Sequence, residues 1–111
     1  MIDSRFSAVA RDAEIAEGAL YGAFARDVPV LLVRLNGVIH AIGRICTHEY
    51  ADLAEGELDD GCVVCPLHGS KFDLVTGRAL TLPAVFPEPV YEVAIADGVV
   101  YVATASSDSA A

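Results

Sequence analysis

Positive charge is scarce in this 111-residue sequence: seven Lys and Arg stand against sixteen Asp and Glu, for a formal net charge of −9. Such a field repels phosphate backbones and anionic lipid, which argues against nucleic acid and membrane surfaces as partners. Its natural complement is a protein with a basic docking patch. Long apolar runs are missing too. The longest, Val28 to Val33, falls far short of the ~20 residues that cross a bilayer. The start of the chain, Met1-Ile-Asp-Ser-Arg-Phe6, lacks the apolar stretch of a secretory signal, so the expected location is the cytoplasm. Cysteine is sparse and odd in number, and three residues cannot make a fully paired disulfide framework. Without export, cysteines serve more often as metal ligands or buried thiols than as bridges. No internal repeat and no linker divides the sequence. The length sets an expectation of one domain over residues 1–111, large enough to bury one core.

Apolar residues nonetheless make up 54% of the sequence, the profile of a chain that folds. Beta-branched and aromatic residues dominate short runs separated by turn residues. Asn36-Gly37 and Asp97-Gly98 each sit between two such runs and predict hairpins. Asp60-Gly61 and Thr76-Gly77 predict further turns. A short helical turn is expected around Asp12–Ile15, capped by Asp12 and ended by Gly18. Strands spaced about ten residues apart predict an all-β fold, an antiparallel sandwich or small barrel. The tail from Thr104 to Ala111 is small and polar and is expected to fray.

Chemistry concentrates between Arg44 and Asp73, where two mixed Cys/His pairs occur. The first is Cys46-Thr-His48 and the second Cys65-Pro-Leu-His68-Gly69. Sixteen residues separate His48 from Cys65, enough for two loops on adjacent hairpins to approach each other. Thiolate plus imidazole suits zinc or iron–sulfur chemistry. In an ordinary zinc finger one knuckle gives both cysteines and one helix both histidines. Here each loop gives one of each. Two such loops can present both cysteines to one metal and both histidines to its neighbour, as a binuclear cluster with unlike ends requires. Four converging ligands could also hold one zinc, so spacing alone leaves both open. Pro66 fixes φ, and Gly69 permits positive φ and close backbone approach. Backbone N–H groups turned inward by such a loop can face anionic sulfide.

This pattern resembles the Rieske 2Fe–2S signature. The likeness extends to Phe72-Asp73, Thr76-Gly77 and Leu82-Pro83, and it covers roughly residues 5 to 103. Within the family the sequence is most similar to the small ferredoxins of bacterial ring-hydroxylating dioxygenase systems. The resemblance implies a Rieske fold, with small antiparallel sheets and a cluster-binding subdomain of two loops at about 43–83. It implies one 2Fe–2S cluster, with Cys46 and Cys65 on one iron and His48 and His68 on the other. It also implies a monomeric one-electron carrier between a reductase, a flavoprotein by class, and a terminal oxygenase acting on aromatic rings. No catalysis by the chain itself is expected. A terminal oxygenase needs a mononuclear iron on two histidines and a carboxylate, and beyond the cluster ligands only His40 remains.

Departures from the family are informative. Rieske proteins of respiratory complexes carry an added cysteine in each ligand loop, where this chain has Ala51 and Leu67, and a membrane anchor, which is not seen here. Their serine and tyrosine hydroxyls donate toward the cluster sulfurs. This chain keeps Ser70 but has Phe72 at the tyrosine position. Bonds to sulfur stabilise the reduced state, so a missing hydroxyl lowers the potential. The expected midpoint therefore lies in the lower part of the Rieske range of about −150 to +300 mV. Imidazole in place of thiolate keeps the oxidised cluster near neutral, which raises the potential. The second nitrogen of each ring offers a way to couple proton uptake to reduction.

The remaining features have plainer readings. If Val63-Val64 is extended, Cys62 and Cys65 face opposite sides, which makes Cys62 a buried, inert thiol. His40 reads as a strand residue at a sheet edge without a catalytic role. The acidic stretch from Asp52 to Asp60 reads as a solvated loop that could contribute to docking. Pro66, Leu67 and Pro83-Ala84 read as an exposed apolar cap over the cluster end. Two alternatives to a free carrier stand: a permanently bound electron-transfer subunit of another oxidoreductase, and a zinc-stabilised interaction module.

Overall fold

The computed structural model of the protein describes residues 2–48, 50–67, 69–82, 84 and 86–104. Among these lie nine strands: β1 (Phe6–Arg11), β2 (Leu20–Ala25), β3 (Val28–Leu35), β4 (Val38–Gly43), β5 (Glu57–Asp59), β6 (Cys62–Val64), β7 (Lys71–Asp73), β8 (Val90–Ala96) and β9 (Val99–Ala103). The expected all-β class holds. No helix of the described residues is long and apolar enough to cross a membrane.

Turn chemistry explains the topology. Asn36-Gly37, Asp60-Gly61 and Asp97-Gly98 place both residues at positive φ, the conformation whose twist matches a two-residue hairpin. They join β3 to β4, β5 to β6 and β8 to β9. The turn between β2 and β3 was not signalled by the sequence, since it uses Arg26-Asp27 without glycine. Arg26 adopts φ 60°, which is unfavourable for an L side chain, and its guanidinium donates to the Ser4 carbonyl at 2.7 Å.

The helical turn near the start is a single turn of 3₁₀ helix over Asp12–Glu14. Asp12 does not cap it. The Asp12 carboxylate instead accepts from Arg34, and Glu14 accepts from the Arg11 backbone N–H at 3.0 Å. The Arg34 fork is well placed to take Asp12 away from capping, since Arg34 also donates to the Ile15 and Asp12 carbonyls.

Six strands form one antiparallel sheet in the order β1-β9-β8-β4-β3-β2, and β5-β6-β7 form a second. Strands β1 and β2, at the two ends of the larger sheet, approach each other, so the sheet curls toward a barrel. A register slip between Ala8 and Ala10 in β1 adds to the curvature.

Strand β3 connects the two halves. Its apolar run is nearly continuous, the pattern of a strand buried on both faces, and Val30, Leu31, Leu32 and Val33 are all fully buried. Because side chains alternate, Val30 and Leu32 enter one core with Ile39, Val100 and Val102. Leu31 and Val33 enter the other, with Ile42, Leu53, Val63, Phe72 and Leu74. Pro29 is tolerated near the strand start, before pairing with β4 begins at Val30.

Candidate metal centre

The second core also contains Cys46 and Cys65. They open two loops of the same construction. After β4 the chain turns at Cys46, whose backbone N–H donates to the Ala51 carbonyl at 2.9 Å. After β6 it turns at Cys65, whose N–H donates to the Ser70 carbonyl at 2.8 Å. Each loop is thus a bracket closed by a cysteine N–H and the carbonyl five residues on. In the second, the Gly69 N–H also returns to the Cys65 carbonyl at 3.2 Å. Gly69 has the expected positive φ of 76°. A Cβ there would meet no described atom within 4 Å.

Burial separates thiol from imidazole. Cys46 and Cys65 are 4% and 3% exposed, whereas His48 is exposed at its loop tip and Tyr50 beside it is fully exposed. An open pocket of about 400 Å³ is lined by Cys46, Thr47, His48 and Tyr50. Cys65 lines another with Val64, Pro66 and Gly69. None of the three cysteines is in a disulfide. His68, the remaining candidate ligand, lies outside the described residues, as do Pro83 and positions 105–111 of the tail. Among the described residues no three Cys, His, Asp or Glu side chains gather as a metal site on their own.

A third loop, between β7 and β8, is tied to both brackets. Thr47 Oγ1 donates to the Phe86 carbonyl at 2.7 Å, and the Ala84 N–H donates to Ser70 Oγ at 3.0 Å. Ser70 is 1% exposed, and in this bond it accepts, which leaves its O–H proton for another acceptor. Pro66 and Leu67 are exposed as expected for a cap, but Ala84 is not: it is buried in the cysteine core. Its N–H bond to Ser70 draws it inward.

Beneath the first bracket lies a clamp. Arg44 donates through Nε and Nη2 to the two Asp52 oxygens at 2.9 and 2.8 Å, and its guanidinium stacks over Phe24. Asp52 Oδ1 also caps a 3₁₀ turn by accepting from Ala54 N–H at 2.9 Å. The Arg44 hydrogen bonds hold the Asp52 carboxyl below its ordinary pKa, helped by the Ala54 N–H and opposed by burial. Asp59 pairs with Lys71 at 2.8 Å. The acidic stretch is therefore partly structural, while Glu55 and Glu57 remain exposed. Arg44 lies two residues before the bracket and Asp52 one after it, and only the fold brings the two together.

Cys62 lies on β6 and is half-buried rather than buried. Burial first, and then the Asp73 carboxylate, push its thiol pKa up, so it holds its proton and is a poor nucleophile. His40 is half-buried on β4 opposite Val33. It sits one residue beyond the pairing of β4 with β8, which begins at Ala41.

Two buried thiols at the mouths of matched loops, with an exposed imidazole at a tip, fit an iron–sulfur group whose thiolate side is inside and imidazole side outside. The chain matches the Rieske [2Fe-2S] domain over residues 5–95 and belongs to that family, whose cofactor is a Rieske-type 2Fe–2S cluster. More particularly, it is similar to ferredoxin components of dioxygenase systems. It is 38% identical to the anthranilate 1,2-dioxygenase ferredoxin subunit of Burkholderia cepacia, over 70% of this chain and 72% of that one. It is 37% identical to the ferredoxin component of the naphthalene 1,2-dioxygenase system of Pseudomonas aeruginosa, over 74% and 79%. A solved chain from a complex of reduced oxygenase and oxidized ferredoxin in carbazole 1,9a-dioxygenase superposes with a TM-score of 0.83. It is 30% identical, over 91% of this chain and 94% of that one.

Proposed function

We propose that this protein is a one-electron carrier that takes electrons from a reductase, of the flavoprotein class, and passes them to a terminal oxygenase acting on aromatic rings. The carrying observation is the contrast between the buried Cys46 and Cys65 and the exposed His48. In this reading Cys46 and Cys65 hold one iron, and His48 and His68 hold the other. The cluster supplies reversible one-electron storage when bound. The protein's part is to shield the thiolate end within the core of Leu31, Ile42 and Phe72 and to leave the imidazole end open to a partner. Exposed Tyr50, Leu67, Leu82 and Phe86 on the three loops offer a small apolar contact area around it. The net charge of −9 steers a monomeric carrier in the cytoplasm toward a basic dock.

Phe72 is fully buried and offers no hydroxyl, while Ser70 keeps an O–H available. One donor in place of two supports a midpoint in the lower part of the range of about −150 to +300 mV. The test is the visible spectrum of protein purified without chelators, before and after dithionite, followed by one-electron reoxidation with a terminal oxygenase. A red-brown protein that bleaches in part and returns on mixing supports the carrier. A colourless protein with one zinc overturns it, and a stable stoichiometric complex on gel filtration turns it into a bound subunit.

A further inference from the structure

Behind the first bracket lies a carboxyl group that electron carriage does not use. Glu88 stands between Pro87 and Pro89 and is 4% exposed. The prolines restrict the backbone on both sides. The Glu88 N–H donates to the Gly77 carbonyl at 2.7 Å, and the Pro89 carbonyl accepts from Gly43 N–H at 2.9 Å. The segment is thus held at both ends, and the side chain is directed inward against Gly43. A Cβ at Gly43 would lie 2.4 Å from Glu88 Oε1, so only glycine leaves room for this carboxyl. Oε2 is enclosed and has no hydrogen-bond partner among the described residues.

The surroundings offer little compensation for a charge. The apolar cleft beside Glu88 is lined by Val28 and Pro29 of β3, by Gly43, Arg44, Ile45 and Thr47, and by Pro89 and Tyr91. Arg44 and Tyr91 are its titratable or charged members. Arg44 is already engaged with Asp52, and Tyr91 is a phenol whose own pKa is raised, by burial and then by Glu88. Burial pushes the Glu88 carboxyl up to about 8, against a weaker pull from the Thr47 backbone N–H. Thr47 is the residue between Cys46 and His48, so the carboxyl adjoins the bracket itself.

We propose that Glu88 is a positioning residue that keeps a proton beside the Cys46–Ala51 bracket at neutral pH, and that loss of this proton lowers the protein's midpoint potential. This inference rests on the carrier reading. With Glu88 protonated, reduction adds one electron from the reductase and no proton at this site. With Glu88 ionised, the same electron is accompanied by one proton, taken from water onto the carboxylate. Oxidation by the acceptor returns both.

The experiment compares the pH profile of the midpoint potential in holoprotein and in Glu88→Gln, together with infrared difference spectra between oxidised proteins carrying ¹²C- and ¹³C-labelled glutamate. The two profiles are expected to coincide in acid and to diverge above roughly pH 8, where the unaltered protein falls by up to an added ~59 mV per pH unit, one proton per electron. Imidazole titrations persist in both proteins. A band from a protonated carboxyl should appear at neutral pH, fade in alkali and be missing from the variant. Parallel profiles in a red-brown protein overturn the proposal alone. A colourless protein with no redox wave overturns the carrier reading and the proposal with it. Should the variant fail to fold, the labelled holoprotein decides: no protonated carboxyl band at neutral pH overturns the proposal.

Discussion

In the larger sheet, strands of five to eight residues pair along most of their length. In the smaller one every strand has three residues, too few for ladder bonds to define a fold alone. What the short strands lack is supplied by side chains: Arg44 on Asp52, Thr47 on the Phe86 carbonyl, Ser70 on Ala84 and Thr81 on Lys71. The Asp73 carboxylate adds bonds to the Val75 and Thr76 N–H groups. One region is held by backbone repetition and the other by individually placed polar contacts plus its cofactor. Metal binding is then folding energy for the second region and nearly irrelevant to the first.

The strongest way to break this comparison is to remove the cofactor. Cys65→Ser is expected to abolish visible absorbance. Hydrogen exchange in β5, β6 and β7 should become fast while β3, β4 and β9 stay protected; uniform loss of protection would contradict the division. Next come two neighbours on one strand. Leu31→Ala and Leu32→Ala should each cost about 2–5 kcal/mol by denaturant titration. Only Leu31, which faces the cysteine core, should also alter the electron paramagnetic resonance spectrum.

Glu88 sharpens the comparison through pH. Its folded pKa, about 8, is raised above the ordinary 4.5, so its stabilising contribution is full below 4.5 and is lost as pH rises through 8. Between these values the stability of the unaltered protein should fall by up to about 1.4 kcal/mol per pH unit from this group, and Glu88→Gln should remove that slope. Asp52→Asn is expected to cost about 1 kcal/mol, since the pair is partly exposed. Asp52 has a lowered pKa, so its contribution is present above the ordinary 3.8 and is lost as pH falls through the folded value. The variant should lose that acid sensitivity. Cys62→Ser should change stability by no more than about 0.5 kcal/mol and leave the visible spectrum unaltered.

How far the fold could be read from the sequence follows the same division. Hairpins at Asn36-Gly37 and Asp97-Gly98 were readable because positive φ has few residue solutions. The Arg26-Asp27 hairpin was not, because its bond to Ser4 is made by a residue distant in sequence. The Cys/His spacing marks both loops in the sequence, and Cys46 and Cys65 lie in one core. Sequence could not show that Asp52 serves a clamp rather than solvent, or that Ala84 is drawn inward, because those outcomes depend on partners eight and fourteen residues away. Glu88 between two prolines reads locally as a loop residue. Its burial arises only when Gly43 is brought beside it.

Strand β3, enclosed on both faces, acts as a party wall between two rooms. Its amide protons should be the last in the molecule to exchange, since exposing them requires both cores to open. The same wall gives assembly an order. The curled sheet can be complete on one side of β3 while the cysteine side is still open, so the loops that carry Cys46 and Cys65 can close over iron and sulfide against a finished wall.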